Sequence, residues 1–368
     1  MKKNMGGVAM PNMFDYIKWR GDLSFSEKRP NEIDSIIFSM LVCIDLGKVC
    51  GGEELTFASA AENYCTDGNY GSVNLGLIMP SENINRMFCE SAKTKRYGNI
   101  KITDYDARTS DEECYQFAAV TFHMPAKQMM VIFRGTDDSI AGWREDCRLS
   151  FLDEIPAQRF AVEYLEMIAA KYPDEKIYIT GHSKGGNLAI YSAVNCSDEI
   201  KPRIARAFCH DGPGLSYSMV NSTKYRAMQR KLSIFIPQSS YIGTMFEKGE
   251  KYTVINSTGR GLLQHDPYTW MLDGPKFERL PELSEKGKKN EEQFRARMRK
   301  MTADEKEEVV ETLFSIVAST GAKTLTDFAD GGVKRLTALV KGYSGLDKDK
   351  RELIVTILKK FFDYKSIK

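Results

Sequence analysis

The stretch KIYITGHSKGGNLAIYSA, residues 176–193, runs from a short apolar segment through Gly-His-Ser-Lys-Gly-Gly into a second apolar segment. Residues 176–180 have the continuous apolar character of a buried strand, and residues 185 to about 195 have the pattern of a helix. A serine among glycines at such a joint is either part of a tight connection or a nucleophile. The surrounding pattern of strand and helix favours a nucleophile.

Residues 181–185 match the pattern Gly-x-Ser-x-Gly. At a sharp turn from strand to helix the serine backbone is strained, and small residues two positions before and after it prevent clashes. The turn lifts the hydroxyl off the sheet and places it at a helix N-terminus, where free N–H groups favour developing negative charge. We therefore predict that Ser183 is the nucleophile, supported by Gly181, His182, Gly185 and Gly186, with His182 in a packing role. The alternative is a tight glycine turn whose serine takes no part in catalysis.

Alternating strand and helix patterns extend on both sides of this turn. The strands are short and continuously apolar, which is typical of a mostly parallel sheet covered by helices on both faces. The sequence therefore predicts an α/β fold. The predicted strands lie within 98–135 and at 176–180, 204–209, 232–237 and 252–256, and the predicted helices include 157–172 and about 185–195.

Changes in composition and in the pattern of apolar residues divide the chain into three parts. We predict an N-terminal helical and irregular segment at 1–97, with one helix over 31–47, and an α/β core at 98–279. Residues 280–368 are highly charged and amphipathic, and their Thr302-x-x-Glu305 is a capping-box signature. This appendage is most simply a set of helices packed on the core. A lid, an oligomerisation surface and peripheral contact with a membrane are the alternatives.

Composition limits the compartment and the partners. The 368 residues carry 52 basic and 50 acidic side chains, for a net charge of +2, which gives no reason to expect a nucleic acid partner. The eight cysteines form no C-x-x-C pair, which argues against a zinc site, and we expect free thiols in a reducing compartment. No signal peptide or transmembrane run is recognisable, so the sequence predicts a cytoplasmic protein. The oligomeric state is not predicted.

A nucleophilic serine needs a base and an acid, in the chain order serine, acid, histidine. Of the four histidines, His210 and His265 follow the serine, and His265 is favoured because it lies in a loop after the last core strand. Asp211, just past the strand 204–209, is the best-placed acid, although Asp-Gly-Pro-Gly is also good turn chemistry. Asp266 is too close to His265 to be the usual choice.

An oxyanion hole requires two backbone N–H donors. The residue after the nucleophile, Lys184, supplies one. The loop after the apolar strand MMVIF supplies the other, where Gly135 permits close approach of the backbone and Thr136 offers an N–H and a hydroxyl. This chemistry needs no metal and no cofactor.

These motifs resemble the core of the class 3 lipases of the α/β-hydrolase superfamily. The resemblance covers about residues 98–270 and includes Phe-Arg-Gly-Thr at 133–136, Trp143, Asp146 and the run 181–189. More closely, the chain is similar to a bacterial lipase-like family of unassigned function, with FDYIKWRGDLSF near the start and QHDPYTW around the predicted base. The resemblance implies an α/β-hydrolase fold and a serine esterase or lipase acting on a small or lipid ester.

The sequence departs from that pattern at one position. Class 3 lipases carry their catalytic aspartate after the next strand, where this chain has Ser239 and Ser240. Either the acid has moved one strand earlier to Asp211, or the triad is incomplete. The first case predicts a serine hydrolase. The second predicts a degenerate hydrolase that acts as a binding or regulatory module.

Overall fold

A computed structural model describes residues 11–66, 81–330, 347–352 and 354–355. The strands are β1 (Leu55–Thr56), β2 (Lys101–Ser110), β3 (Tyr115–Met124), β4 (Gln128–Phe133), β5 (Lys176–His182), β6 (Ile204–His210), β7 (Leu232–Pro237), β8 (Thr253–Ile255), β9 (Leu272–Asp273), β10 (Lys276–Phe277) and β11 (Arg279–Leu280). The α-helices are α1 (Met13–Arg20), α2 (Glu32–Leu41), α3 (Leu46–Cys50), α4 (Phe57–Thr66), α5 (Ser81–Ala92), α6 (Ile140–Arg148), α7 (Pro156–Lys171), α8 (Lys184–Asn195), α9 (Tyr217–Val220), α10 (Thr223–Met228), α11 (Glu285–Arg299), α12 (Ala303–Ser319) and α13 (Leu325–Asp330).

The centre of the fold is a sheet with strand order β1-β2-β3-β4-β5-β6-β7-β8-β11. Strands β4 to β8 pair in parallel, and the strands on either side of them pair antiparallel. Helices connect β4 to β5, β5 to β6 and β6 to β7, as the alternating sequence pattern predicted, whereas β7 and β8 are connected by a loop without a helix. The α/β-hydrolase fold class is thus confirmed. The carboxyl ends of β5 and β6, at His182 and His210, face each other in register.

Both faces of the sheet are buried. On one face α2 packs against β5, and the N-terminal helices form a continuous core with one side of the strands. On the other face α7 and α8 pack together and against the strands. The two faces explain why β4 is buried along its whole length, and why its residues after Gln128 are continuously apolar rather than alternating.

The C-terminal helices lie over the carboxyl ends of the parallel strands. Helix α12 packs against α6 through a separate apolar cluster, which includes Val309, Leu313 and Trp143. Glu311 of α12 forms ion pairs with Arg144 and Arg148 of α6. Thr302 caps α12 with the capping box that its sequence predicted.

Two local expectations were wrong, and one helix was not predicted. The helix predicted over 31–47 is two helices, because Asp45 caps Lys48 and starts α3 after a break at 42–45. Helix α5 lies in a stretch where the sequence pattern indicated no helix.

Cys65 and Cys89 are disulfide-bonded and join α4 to α5, so the expectation that all eight thiols are free was wrong. Their separation of 24 residues gives no local motif, and only the packing of the two helices brings them together.

Part of the predicted appendage, the amphipathic segment 331–343, lies outside the described residues, as does most of the segment after 352. Among the described ranges, no helix combines the length and the apolar character that crossing a membrane requires.

Candidate active site

Ser183 lies at the sharp turn between β5 and α8. Its φ of 58° is positive, a strained backbone conformation for a residue with a side chain. The turn is possible because Gly181 and Gly185 are in direct contact: a Cβ on Gly181 would lie 2.1 Å from the Gly185 carbonyl group. A Cβ on Gly185 would lie 2.1 Å from the carbonyl oxygen of Phe133. The predicted turn, an elbow formed by residues 181–185, is therefore present at this serine.

His265 and Asp211 form a hydrogen-bonded pair. His265 Nδ1 lies 2.6 Å from Asp211 Oδ2, and both side chains are buried. A carboxylate only accepts hydrogen bonds, so Nδ1 carries the proton and Nε2 is left as the basic nitrogen. Burial lowers the pKa of His265 below its ordinary value, which keeps the ring neutral at neutral pH.

Asp211 follows β6 directly, with a positive φ of 51°. Ser240, in the loop after β7, donates its hydroxyl to Asp211 Oδ2 at 2.8 Å. Burial raises the pKa of Asp211, while the Ser240 hydrogen bond and the charge of Lys248 act in the opposite direction. The serine at the usual position of the acid therefore contacts the aspartate one strand away.

The other histidines and Asp266 have different partners. His182 Nε2 lies 2.9 Å from the carbonyl oxygen of His265, and the two ring centroids are 4.4 Å apart, so His182 packs beneath His265.

His210 contacts the Ser35 hydroxyl at 2.7 Å within the core, and His123 pairs with Glu175 at the other end of the sheet. The carboxylate of Asp266 accepts from the Tyr268 N–H in its own turn.

Ser183 and His265 line one cavity of about 210 Å³. Its floor is formed by the carboxyl ends of the strands, and its roof by α11 and α12. The lining is rich in apolar side chains, namely Trp143, Ile242, Met245, Phe246, Leu262, Phe294, Met298, Met301, Val309 and Val310. The arrangement therefore places a candidate nucleophile and base at the bottom of an apolar pocket.

The loop after β4 reaches the same cavity, where Gly135 and Thr136 line the wall. The Thr136 hydroxyl donates to Asp146 Oδ2 at 2.6 Å, which fixes the threonine and leaves its backbone N–H as the available donor. Asp146 is one of the residues on which the family resemblance rested, and it lies on α6. Burial raises the pKa of Asp146 to about 6, and the charge of Lys184 acts in the opposite direction.

The Lys184 side chain is fully buried and ion-paired. Its Nζ lies 2.8 Å from Glu145 Oε2 and 3.6 Å from Asp146 Oδ1, and it donates to the carbonyl oxygen of Gln116 at 2.8 Å. Glu145 also accepts hydrogen bonds from the backbone N–H groups of Gln116 and Ala157. Two adjacent carboxylates of α6 thus hold both predicted oxyanion donors, one through a hydroxyl and the other through an ammonium.

Sequence reasoning missed Glu145. Its signal was indirect, because a lysine at this position needs a carboxylate partner only if its side chain is buried, and the sequence does not give that burial. Among the described residues, no cluster of histidine, cysteine, aspartate and glutamate has the arrangement of a metal site.

The comparison with solved structures finds matches of low identity, three of which follow. A structure titled M37 lipase is 13% identical, covers 57% of this chain and 68% of its own, and has a TM-score of 0.37. A structure titled fungal lipases is 10% identical, with coverage of 75% and 96% and a TM-score of 0.40. A mutant form of MDLA from Penicillium cyclopium is 12% identical, with coverage of 70% and 87% and a TM-score of 0.39. Similarity of this degree says nothing about activity.

No curated protein has a sequence that matches this chain. The family model described as Mbeg1-like matches residues 91–315, a stretch that includes the elbow, the His265–Asp211 pair, α6 and most of the cavity roof. With more than half of its length matched, the chain belongs to the Mbeg1-like family.

Proposed function

We propose that this protein is a serine hydrolase that cleaves carboxylic esters through an acyl-enzyme. The observation that carries the proposal is the 2.6 Å contact between His265 Nδ1 and Asp211 Oδ2 at a cavity that Ser183 also lines. A base oriented by a carboxylate, in the same cavity as a serine on a strained turn, is the arrangement that activates a hydroxyl.

In the first step Ser183 Oγ attacks the ester carbonyl and His265 Nε2 takes the hydroxyl proton. The oxyanion that forms accepts hydrogen bonds from the backbone N–H groups of Thr136 and Lys184. His265 then gives the proton to the leaving alcohol, and the acyl group stays on the serine. His265 then deprotonates a water molecule, which attacks the acyl-serine. The ester bond to Ser183 breaks, His265 returns the proton to Ser183 Oγ, and the carboxylic acid leaves. Asp211 keeps the imidazole in one tautomer and stabilises its protonated form.

The walls of the cavity suggest which esters fit. Phe246, Phe294, Met298 and Val309 lie around it and favour an apolar acyl chain. The alternative of a degenerate hydrolase depended on the acid missing from its usual position. The contact of Asp211 with His265 from the neighbouring strand supports the hydrolase over that alternative.

The test is covalent labelling with a fluorophosphonate probe, followed by hydrolysis of 4-nitrophenyl esters of increasing chain length. We expect rapid labelling of the wild type and none in Ser183→Ala or His265→Ala. Ser239→Ala is the matched control, since this serine is bonded to Ser284 and does not line the cavity. The proposal fails if the folded wild type is not labelled, or if labelling persists in Ser183→Ala.

A further inference from the structure

The roof of the cavity presents a stripe of side chains at helical spacing. The residues of α11 and the following turn that line the cavity are Asn290, Gln293, Phe294, Arg297, Met298 and Met301. Spacings of three and four residues place them on one side of the helix. Arg297 is the one charged member of this stripe, and it occupies a position between Phe294 and Met298.

Helix α12 repeats the arrangement with Lys306, Val309 and Val310. Lys306 lies one helical turn before the two valines and is half-buried, whereas Arg297 is exposed at the rim. Each helix of the roof therefore adds one cation to a lining whose one carboxylate is that of Asp146.

The acidic side chains of these two helices do not line the cavity, and several of them form ion pairs outside it. Glu291 pairs with Arg295 and with Lys248, Glu308 pairs with Lys350, and Glu311 pairs with two arginines of α6. None of the three lines the cavity. Within the described ranges, Arg297 and Lys306 form no ion pair with a carboxylate within 4.0 Å.

The remaining carboxylate of the cavity wall, Asp146, is already engaged by the Thr136 hydroxyl and the Lys184 ammonium. It therefore does not neutralise the two cations of the roof. Positive charges beside apolar walls of low dielectric focus the field into a pocket and attract an anion there.

We infer that Arg297 and Lys306 form a subsite for an anionic group on the substrate, and that the substrate is an amphipathic ester whose alcohol part is negatively charged. This inference rests on the proposed function. His265 is buried at the floor of the cavity and Arg297 is exposed at the rim, so the anion belongs to the part nearer solvent. The acyl chain occupies the apolar walls, and the charged alcohol leaves through the mouth. A carboxylate and a phosphate monoester both satisfy this chemistry.

The experiment uses two esters that differ by one carboxylate on the leaving group, 2-nitrophenyl octanoate and 4-nitro-3-(octanoyloxy)benzoate. We expect the wild type to prefer the carboxylated ester in kcat/KM, mainly through KM. We expect the preference to fall by roughly threefold to tenfold in Arg297→Gln and in Lys306→Gln, and further in the double variant. Added salt should reduce it as well.

Arg299→Gln is the matched control, because Arg299 ends the same helix, is exposed, and does not line the cavity. It should keep the preference of the wild type. A second pair, a monoacylglycerol and its 3-phosphate with the same chain, distinguishes a phosphate from a carboxylate as the natural anion. Preference for the charged member of either pair, lost in the double variant, supports the subsite.

Two results would overturn the inference in different ways. If the wild type hydrolyses neutral and charged members of both pairs equally, or if the double variant keeps the preference, the subsite is wrong and the proposed function stands. If folded wild type hydrolyses none of the esters and resists the fluorophosphonate, the proposed function fails and the subsite fails with it.

Discussion

The Ser240 hydroxyl donates to Asp211 Oδ2 at 2.8 Å, and the same oxygen accepts from His265 Nδ1 at 2.6 Å. Ser240 follows β7, where class 3 lipases carry their acid, and Asp211 follows the neighbouring strand β6. The two loops meet beneath the histidine, so either could supply a group that contacts it. In this chain the carboxylate comes from the first loop, and the second supplies a hydroxyl that supports it.

This arrangement predicts unequal effects of two substitutions. Asp211→Asn should lower kcat for ester hydrolysis by about 10² to 10⁴, because the amide cannot hold His265 in the required tautomer. Ser240→Ala should cost only about twofold to tenfold, since one neutral hydrogen bond to the carboxylate is lost. Steady-state kinetics on a 4-nitrophenyl ester measure both effects. Equal losses in the two variants would contradict the assignment of Asp211 as the acid.

The neighbouring loops also predict a rescue. Asp211→Ser should be nearly inactive. Adding Ser240→Asp should raise kcat at least about tenfold above that of Asp211→Ser, because it places a carboxylate beside His265 again. Ser239→Asp is the control, because Ser239 is bonded to Ser284 and not to Asp211. If Ser239→Asp restores as much activity as Ser240→Asp, the effect is one of general charge and not of position.

Much of the site could be predicted from sequence because its parts lie in local motifs. The elbow, the Gly135–Thr136 loop and the positions of the parallel strands all follow from short patterns of glycine and apolar residues. The role of Ser240 and the pairing of Glu145 with Lys184 could not be predicted, since they join loops and helices separated by 29 and 39 residues. The position of α11 and α12 over the cavity could not be predicted either, because an amphipathic stripe does not indicate which surface it covers.

The buried His265 predicts a pH profile displaced toward acid. The neutral ring is the active base, and burial lowers its pKa below the ordinary value of 6.5. Protonation, which inactivates it, therefore requires a lower pH than for an exposed histidine. We expect the acid limb of kcat/KM to have its midpoint below pH 6.5, with circular dichroism at each pH as the control for unfolding. A midpoint at or above about pH 7 would show that the charge of Asp211 raises the pKa of the ring more than burial lowers it.

The buried pair of Lys184 and Glu145 predicts an asymmetry between its two members. Glu145→Gln leaves the lysine ammonium without its closest anion in a site that water does not reach, so the free energy of unfolding should fall by about 3–5 kcal/mol. Lys184→Leu should change stability much less, because Glu145 keeps its hydrogen bonds from the Gln116 and Ala157 N–H groups. It should also retain most of the esterase activity, since leucine preserves the backbone N–H that the oxyanion requires.

The measurements for this pair are urea unfolding and kcat/KM, with the double variant Lys184→Leu and Glu145→Gln closing a thermodynamic cycle. We expect the double variant to be more stable than Glu145→Gln alone, because the unpaired charge is gone. If Lys184→Leu abolishes activity while it remains folded and is still labelled by the fluorophosphonate, the ammonium acts in a later step of the reaction. In that case the role of the side chain goes beyond holding the backbone in place.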